Sequence, residues 1–170
     1  MKTFKPLVFD DVSEVLAPVL GVIHIPRNIF ESIYQRTNEP DEVAGTLEGR
    51  LVADDVAEQF HYHVHSATYR QGTGSTTNHV MNIAISPEPE QQYFHTHTHE
   101  TLKESGQIYG RCFSMIDIEA MRKVAEEDKS DGIALDLLVT PDDALGLLVI
   151  HDHETGQTDL YYAQVEVEDQ

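Results

Sequence analysis

The chain has 170 residues, 40% of them hydrophobic, which is enough apolar material for one folding unit and too much for wholesale disorder. Thirty Asp and Glu stand against eleven Lys and Arg, a formal charge of -19, and this excludes a phosphate-binding surface of clustered cations and with it nucleic acid as a partner. The one cysteine, Cys112, excludes an internal disulfide framework and a cysteine-rich zinc site, so any metal has to be held by His, Asp or Glu.

No stretch approaches the roughly 18 apolar residues of a membrane span, and the amino terminus lacks the apolar run of a secretory signal. The expectation is a cytoplasmic protein with no membrane partner. Residues 1–21 carry few structural signals and read as an N-terminal extension ahead of one domain over 22–170. Val22-Ile-His-Ile25 predicts a short strand, after which Pro26 suits the first position of a helix. Ile25, Ile29 and Ile33 follow at intervals of four with Phe30 and Tyr34 beside them, one apolar helical stripe that Asn38-Glu-Pro40 ends.

Residues 42–49 predict a strand with close backbone approach at Gly45 and a turn at Gly49, followed by a further extended run from Arg50. Residues 60–69 read as another strand, with His61, His63 and His65 sharing one face that is expected to be solvated rather than to form a second metal site. A polar loop over 71–78 leads to candidate strands over 79–86 and 91–97. Ile118, Met121 and Val124 then mark one face of a helix from about Ser114 to Glu127, which Ser130-Asp-Gly132 terminates. Residues 134–140, 146–152 and 159–167 are strand-like, the last two joined through a hairpin at His153-Glu-Thr-Gly156. This order predicts an α+β domain with helices packed on a sheet.

The chemistry concentrates at His95-Thr-His97-Thr-His99. Period-two spacing sends the imidazoles to one side of an extended chain, at a separation that one zinc ion can bridge with bonds of about 2.0–2.1 Å. The bland alternative is an exposed strand that tolerates histidine. Catalytic zinc takes three protein ligands and leaves a position for water, so a third His, Asp or Glu is required. Ser114-Met-Ile-Asp117 opens the later helix, and that spacing also reads as a plain capping-box-like start. The two readings are compatible, because an acid in the first helical turn can be aimed at a metal beside the helix terminus.

Glu42-Val-Ala-Gly45, His95-Thr-His97 and Ser114-Met-Ile-Asp117, in that order, resemble the signature of the JAMM (MPN, Mov34) metalloprotease family over roughly residues 22–167. The resemblance implies a single α+β JAMM/MPN-like domain, a curved mixed sheet flanked by helices. It further implies zinc held by His95, His97 and Asp117, Glu42 as general base, and Ser114 as hydrogen-bond donor to the oxyanion. The reaction implied is hydrolysis of amide bonds, in this family often the isopeptide bond of a ubiquitin-like modifier, so the expected partner is a protein or peptide substrate. Three departures stand out, one being that the helix usually found between the glutamate strand and His-x-His is abbreviated at Pro87-Glu-Pro89. Thr98 occupies the place where the family usually has proline, and residues 98–113 read as an insertion, with 100–111 a candidate lid.

A cupin-like metal-binding β-barrel is the alternative from another class. His97-Thr-His99 with Glu104 fits its His-x-His-plus-glutamate pattern, and Gly110 falls near the expected glycine. The apolar helical stripe at 118–124 and the lack of a second downstream histidine motif speak against it. A non-catalytic JAMM-like scaffold is a third reading, opposed by the presence of every required residue type. Cys112 is expected to pack as a small apolar residue.

Overall fold

Inward and outward side chains alternate along the first strand, β1 (Val19–Pro26): Ile23 and Ile25 are wholly buried, and His24 faces the other way. Pro26, whose ring fixes φ near its observed -58°, leads directly into α1 (Arg27–Gln35). Of the predicted stripe, Ile33 is fully buried, Ile29 and Phe30 pack beside it, and the Tyr34 hydroxyl donates to the Pro141 carbonyl. A 3-10 turn over Arg36–Asn38 ends the helix where the Asn-Glu-Pro sequence predicts.

This computed structural model describes residues 19–70, 91–103, 113, 115–128 and 132–169. The remaining elements are β2 (Ala44–Asp54), β3 (Gln59–Arg70), β4 (Gln91–Thr96), α2 (Met115–Glu127), β5 (Ile133–Val139), β6 (Ala144–His151) and β7 (Thr158–Glu168). They form a closed barrel in the order β1-β3-β2-β4-β5-β6-β7. The expected α+β domain, a curved mixed sheet flanked by helices, is therefore incorrect. The physical reason is β1, which pairs in parallel with both β3 and β7 and so closes the sheet, leaving no free edge among the described strands. The loop expected over 71–78 and the strand over 79–86 lie outside the described residues.

A second correction concerns Gly49. It makes no turn between strands; β2 runs on through it with a bulge between Glu48 and Gly49, where a Cβ would stand 2.1 Å from the His63 carbonyl oxygen. The close approach predicted at Gly45 is present, since a Cβ there would meet the Thr68 carbonyl oxygen at 2.0 Å and the Phe94 ring at 2.7 Å. The C-terminal hairpin also forms as predicted, with Gly156 at φ +75° and the Asp152 carboxylate accepting from the Glu154 and Thr155 amides.

Two apolar clusters follow from the alternation. Inside the barrel, Ile23, Ile25, Leu47, Tyr62, Phe94 and Leu135 fill the lumen together with Ile33 of α1. Outside it, Ile118, Met121, Val124 and Ala125 of α2 pack on Tyr93, Leu138 and Leu147. Burying side chains of this size contributes about 1.5–3 kcal/mol each, an upper bound against a compact unfolded chain. Lying between the two clusters, β5 is buried along all seven of its residues.

Candidate metal centre

The histidines occupy the face of β4 that looks away from the lumen. Phe94 points into the barrel, whereas Tyr93 and His95 lie under α2. In register, His95 stands opposite Ala44 of β2 on one side and Leu138 of β5 on the other. His97 extends this line past the strand end, anchored by its amide to the Val139 carbonyl oxygen at 3.0 Å. Asp117 enters from the first turn of α2. Donor atoms of His95, His97 and Asp117 all lie within 4.8 Å of one another. His95 Nε2 is 3.4 Å from Asp117 Oδ2, and the two imidazole rings are 5.3 Å apart at 66°.

Two further residues complete the arrangement, and neither is singled out by the sequence reading. Asp136 of β5 approaches His95 Nδ1 at 3.0 Å. Its signal is a lone acid in the otherwise apolar run Ile-Ala-Leu-Asp-Leu-Leu-Val, where a charge is buried only for a partner. Burial pushes the Asp136 carboxyl up, against the pull of His95. For His95, burial opposes the charged ring, but the Asp136 and Asp117 carboxylates outweigh it and raise the pKa well above the ordinary histidine value.

Thr101 is the other. Its hydroxyl donates to Glu42 Oε2 at 2.8 Å and so sets the carboxylate that stands 3.9 Å from His97 Nε2. Residues 99–103 form a helical turn that Thr98 caps: the Thr101 amide donates to Thr98 Oγ1, and the Thr98 amide donates to Thr101 Oγ1. Proline at 98 would lack that second donor, which accounts physically for threonine in its place. Glu42 itself is placed by the start of β2, where the amides of Thr96 and Val43 bond to Val43 O and Thr96 Oγ1 at 2.9 and 3.0 Å.

His95, His97, Asp117 and Glu42 thus come together, while Ser114 lies outside the described residues. Of the cupin-register residues, His97 is in the group, while the other two are placed differently or not described. His99 turns to Asn38 Oδ1 at 3.1 Å on the surface, and Glu104 lies outside the described residues. The donor set can accommodate a metal: His95 Nε2 is buried, makes no close hydrogen bond and has the Asp117 carboxylate 3.4 Å away, so an ion between them would meet both groups. Two imidazoles and a carboxylate suit a borderline divalent cation.

In comparisons with known proteins, no family model and no curated sequence matches the chain. Fold and site together define a class: a closed mixed β-barrel of seven strands among the described residues, carrying histidine–carboxylate groups that could hold a metal ion. That architecture agrees better with the metal-binding β-barrel alternative than with a helix-flanked sheet. Among the described residues, no helix is long and apolar enough to cross a membrane.

Proposed function

We propose that the chain is a metal-binding β-barrel that hydrolyses amide bonds, with a divalent cation on His95, His97 and Asp117 and with Glu42 as general base. The observation that carries this reading is the Glu42 carboxylate, held by Thr101 at 3.9 Å from His97 beside the donor triad. A bound divalent ion there supplies Lewis acidity and brings the pKa of water towards neutrality. The donor set accommodates zinc and ferrous iron alike, and the motif resemblance favours zinc.

In this reading Glu42 takes the proton of the attacking water at its carboxylate and returns it to the departing amine nitrogen. Asp136 accepts from His95 Nδ1–H, which fixes the tautomer and turns the Nε2 lone pair towards the triad. Phe113, almost fully buried and edge-on to His95, excludes water from the inner side and strengthens the electrostatics of the site. Ser114, next in the chain, is the oxyanion donor that the resemblance implies. The substrate class is a protein or peptide amide, with isopeptide conjugates of a ubiquitin-like modifier first among those to test.

The closed barrel favours a second reading, a cupin-like metal-binding barrel without amide hydrolysis. Incubating zinc-loaded protein with isopeptide-linked and linear ubiquitin-like fusions, and with short peptide amides, separates the two. Cleavage that Glu42→Gln abolishes while zinc stays bound supports the hydrolase. A zinc-loaded protein inert towards all three substrates, or cleavage unaffected by Glu42→Gln, overturns it in favour of the second reading.

A further inference from the structure

A second histidine group sits on the outward face of β1, β3 and β7, separated from β4 by β2 in one direction round the barrel and by β6 and β5 in the other. The pairing brings it together. His24 of β1 stands opposite His63 of β3 and opposite Glu166 of β7, all pointing away from the lumen that Ile23 and Tyr62 fill. The His24 ring stacks on His63 with centroids 4.5 Å apart at 10°, and on His61 at 5.1 Å and 20°. His24 Nδ1 is 2.9 Å from Glu168 Oε1 and 3.6 Å from Glu166 Oε2, and His24 Nε2 is 2.8 Å from His61 Nδ1.

Histidines on a merely solvated strand spread into water. Here three imidazoles from two strands are stacked ring on ring with two carboxylates beside them. Stacked imidazolium rings repel, so the arrangement requires neutral rings or a shared counter-charge.

We propose that His24, His63 and Glu168 form a second divalent-cation site, which ties β1 to both of its parallel neighbours at the seam that closes the barrel. Their donor atoms lie within 4.8 Å of one another. A tetrahedral ion with bonds of about 2.0–2.1 Å needs donors about 3.3–3.4 Å apart. His24 Nδ1 and Glu168 Oε1 stand at 2.9 Å, so a small outward rotation of the exposed Glu168 side chain makes room for the ion on that side. With His24 Nδ1 on the ion, its Nε2–H donates to His61 Nδ1, so His61 orients a ligand without binding the metal. Glu166 adds a second carboxylate at the edge. Imidazole-rich donors select zinc, nickel or copper(II) over calcium and magnesium, which take oxygen ligands. The ion's role is structural, stabilising the folded state by binding it in preference to the unfolded chain.

The test is independent of the His95 site. Zinc stoichiometry and zinc-induced change in melting temperature are measured on the full chain for wild type, Asp117→Ala, His63→Ala/Glu168→Ala and the triple variant, with near-ultraviolet circular dichroism as the check on folding. The proposal predicts two, one, one and no tightly bound zinc ions respectively, and a zinc-induced rise in melting temperature that His63→Ala/Glu168→Ala removes from the Asp117→Ala protein. His65→Ala, at an exposed position on the same strand face, leaves both readouts unchanged. No zinc bound by Asp117→Ala overturns the proposal. So does zinc that the Asp117→Ala protein still binds after His63→Ala/Glu168→Ala is added, or that it loses with His65→Ala. If His63→Ala/Glu168→Ala fails the folding check, His61→Ala in the Asp117→Ala background replaces it. A tenfold or greater loss of zinc affinity then supports the site, and an unchanged affinity overturns it.

Discussion

Asp136 and His95 face each other across the parallel β4–β5 pair, the carboxylate Oδ2 3.0 Å from the imidazole Nδ1 and both groups enclosed between the barrel and α2. A buried carboxylate is costly unless partnered, and its partner here is Nδ1 of a histidine whose other nitrogen faces Asp117. Asp136→Ala removes the acceptor that fixes the His95 tautomer and is expected to weaken metal binding at the His95 site by about 10–100-fold. Asp136→Asn, which keeps a carbonyl acceptor, costs less. Competition with a chromophoric chelator measures both, and an unchanged affinity in Asp136→Ala contradicts the role.

The raised pKa of His95 gives a pH dependence with a definite sign. Because the folded value lies above the unfolded one of about 6.5, the stability contributed by His95 with its two carboxylates is fully present below that pH. It is lost as pH rises through the folded value. Metal-free protein is therefore expected to lose stability above about pH 6.5, while metal affinity rises over the same interval because a proton no longer competes for Nε2. Denaturant midpoints in chelator between about pH 6 and 9, with parallel metal titrations, check both trends. Asp117→Asn, which removes one of the carboxylates, blunts them. Metal-free stability that climbs through this range contradicts the assignment.

Thr101 positions Glu42 without reaching the metal ligands. Thr101→Val removes the 2.8 Å donor while keeping shape, and on the proposed hydrolysis lowers kcat about tenfold with metal stoichiometry unchanged. Thr101→Ser restores the rate. Loss of metal in Thr101→Val, or no change in kcat, contradicts a positioning role.

What was legible in the sequence is what local periodicity encodes. β1, β3, β4 and the three C-terminal strands follow from apolar runs and alternation, α2 from Ile118, Met121 and Val124, and the grouping of His95, His97 and Asp117 from motif order. Barrel closure was not legible, because the parallel pairing of β1 with β3 joins residues 39 apart, and with β7 residues 142 or 143 apart, and leaves no local trace. The same long-range pairing hides the second cluster: His24 looks like one polar residue in an apolar strand until His63 and Glu168 arrive beside it. Gly49 misleads for a related reason, since a bulged strand and a turn both call for glycine. Asp136 was concealed inside an apolar segment, and Thr101 inside residues that read as an insertion.

Gly45 links the fold to the site, standing three residues after Glu42 where β2 meets both β3 and β4. A methyl group there collides with the Thr68 carbonyl and the Phe94 ring, and a backbone atom cannot swing aside as a side-chain tip can. Gly45→Ala is expected to cost about 3 kcal/mol or more in urea unfolding. A cost below about 1 kcal/mol contradicts the tight packing of β2.

The central claim is that His95, His97 and Asp117 hold one ion. Anomalous diffraction at the zinc edge from zinc-soaked crystals tests it most directly. The account predicts a peak about 2.0–2.2 Å from His95 Nε2, from an imidazole nitrogen of His97 and from an Asp117 carboxylate oxygen. No peak at that position, or a peak on His97 shared with His99 and Glu104, contradicts it.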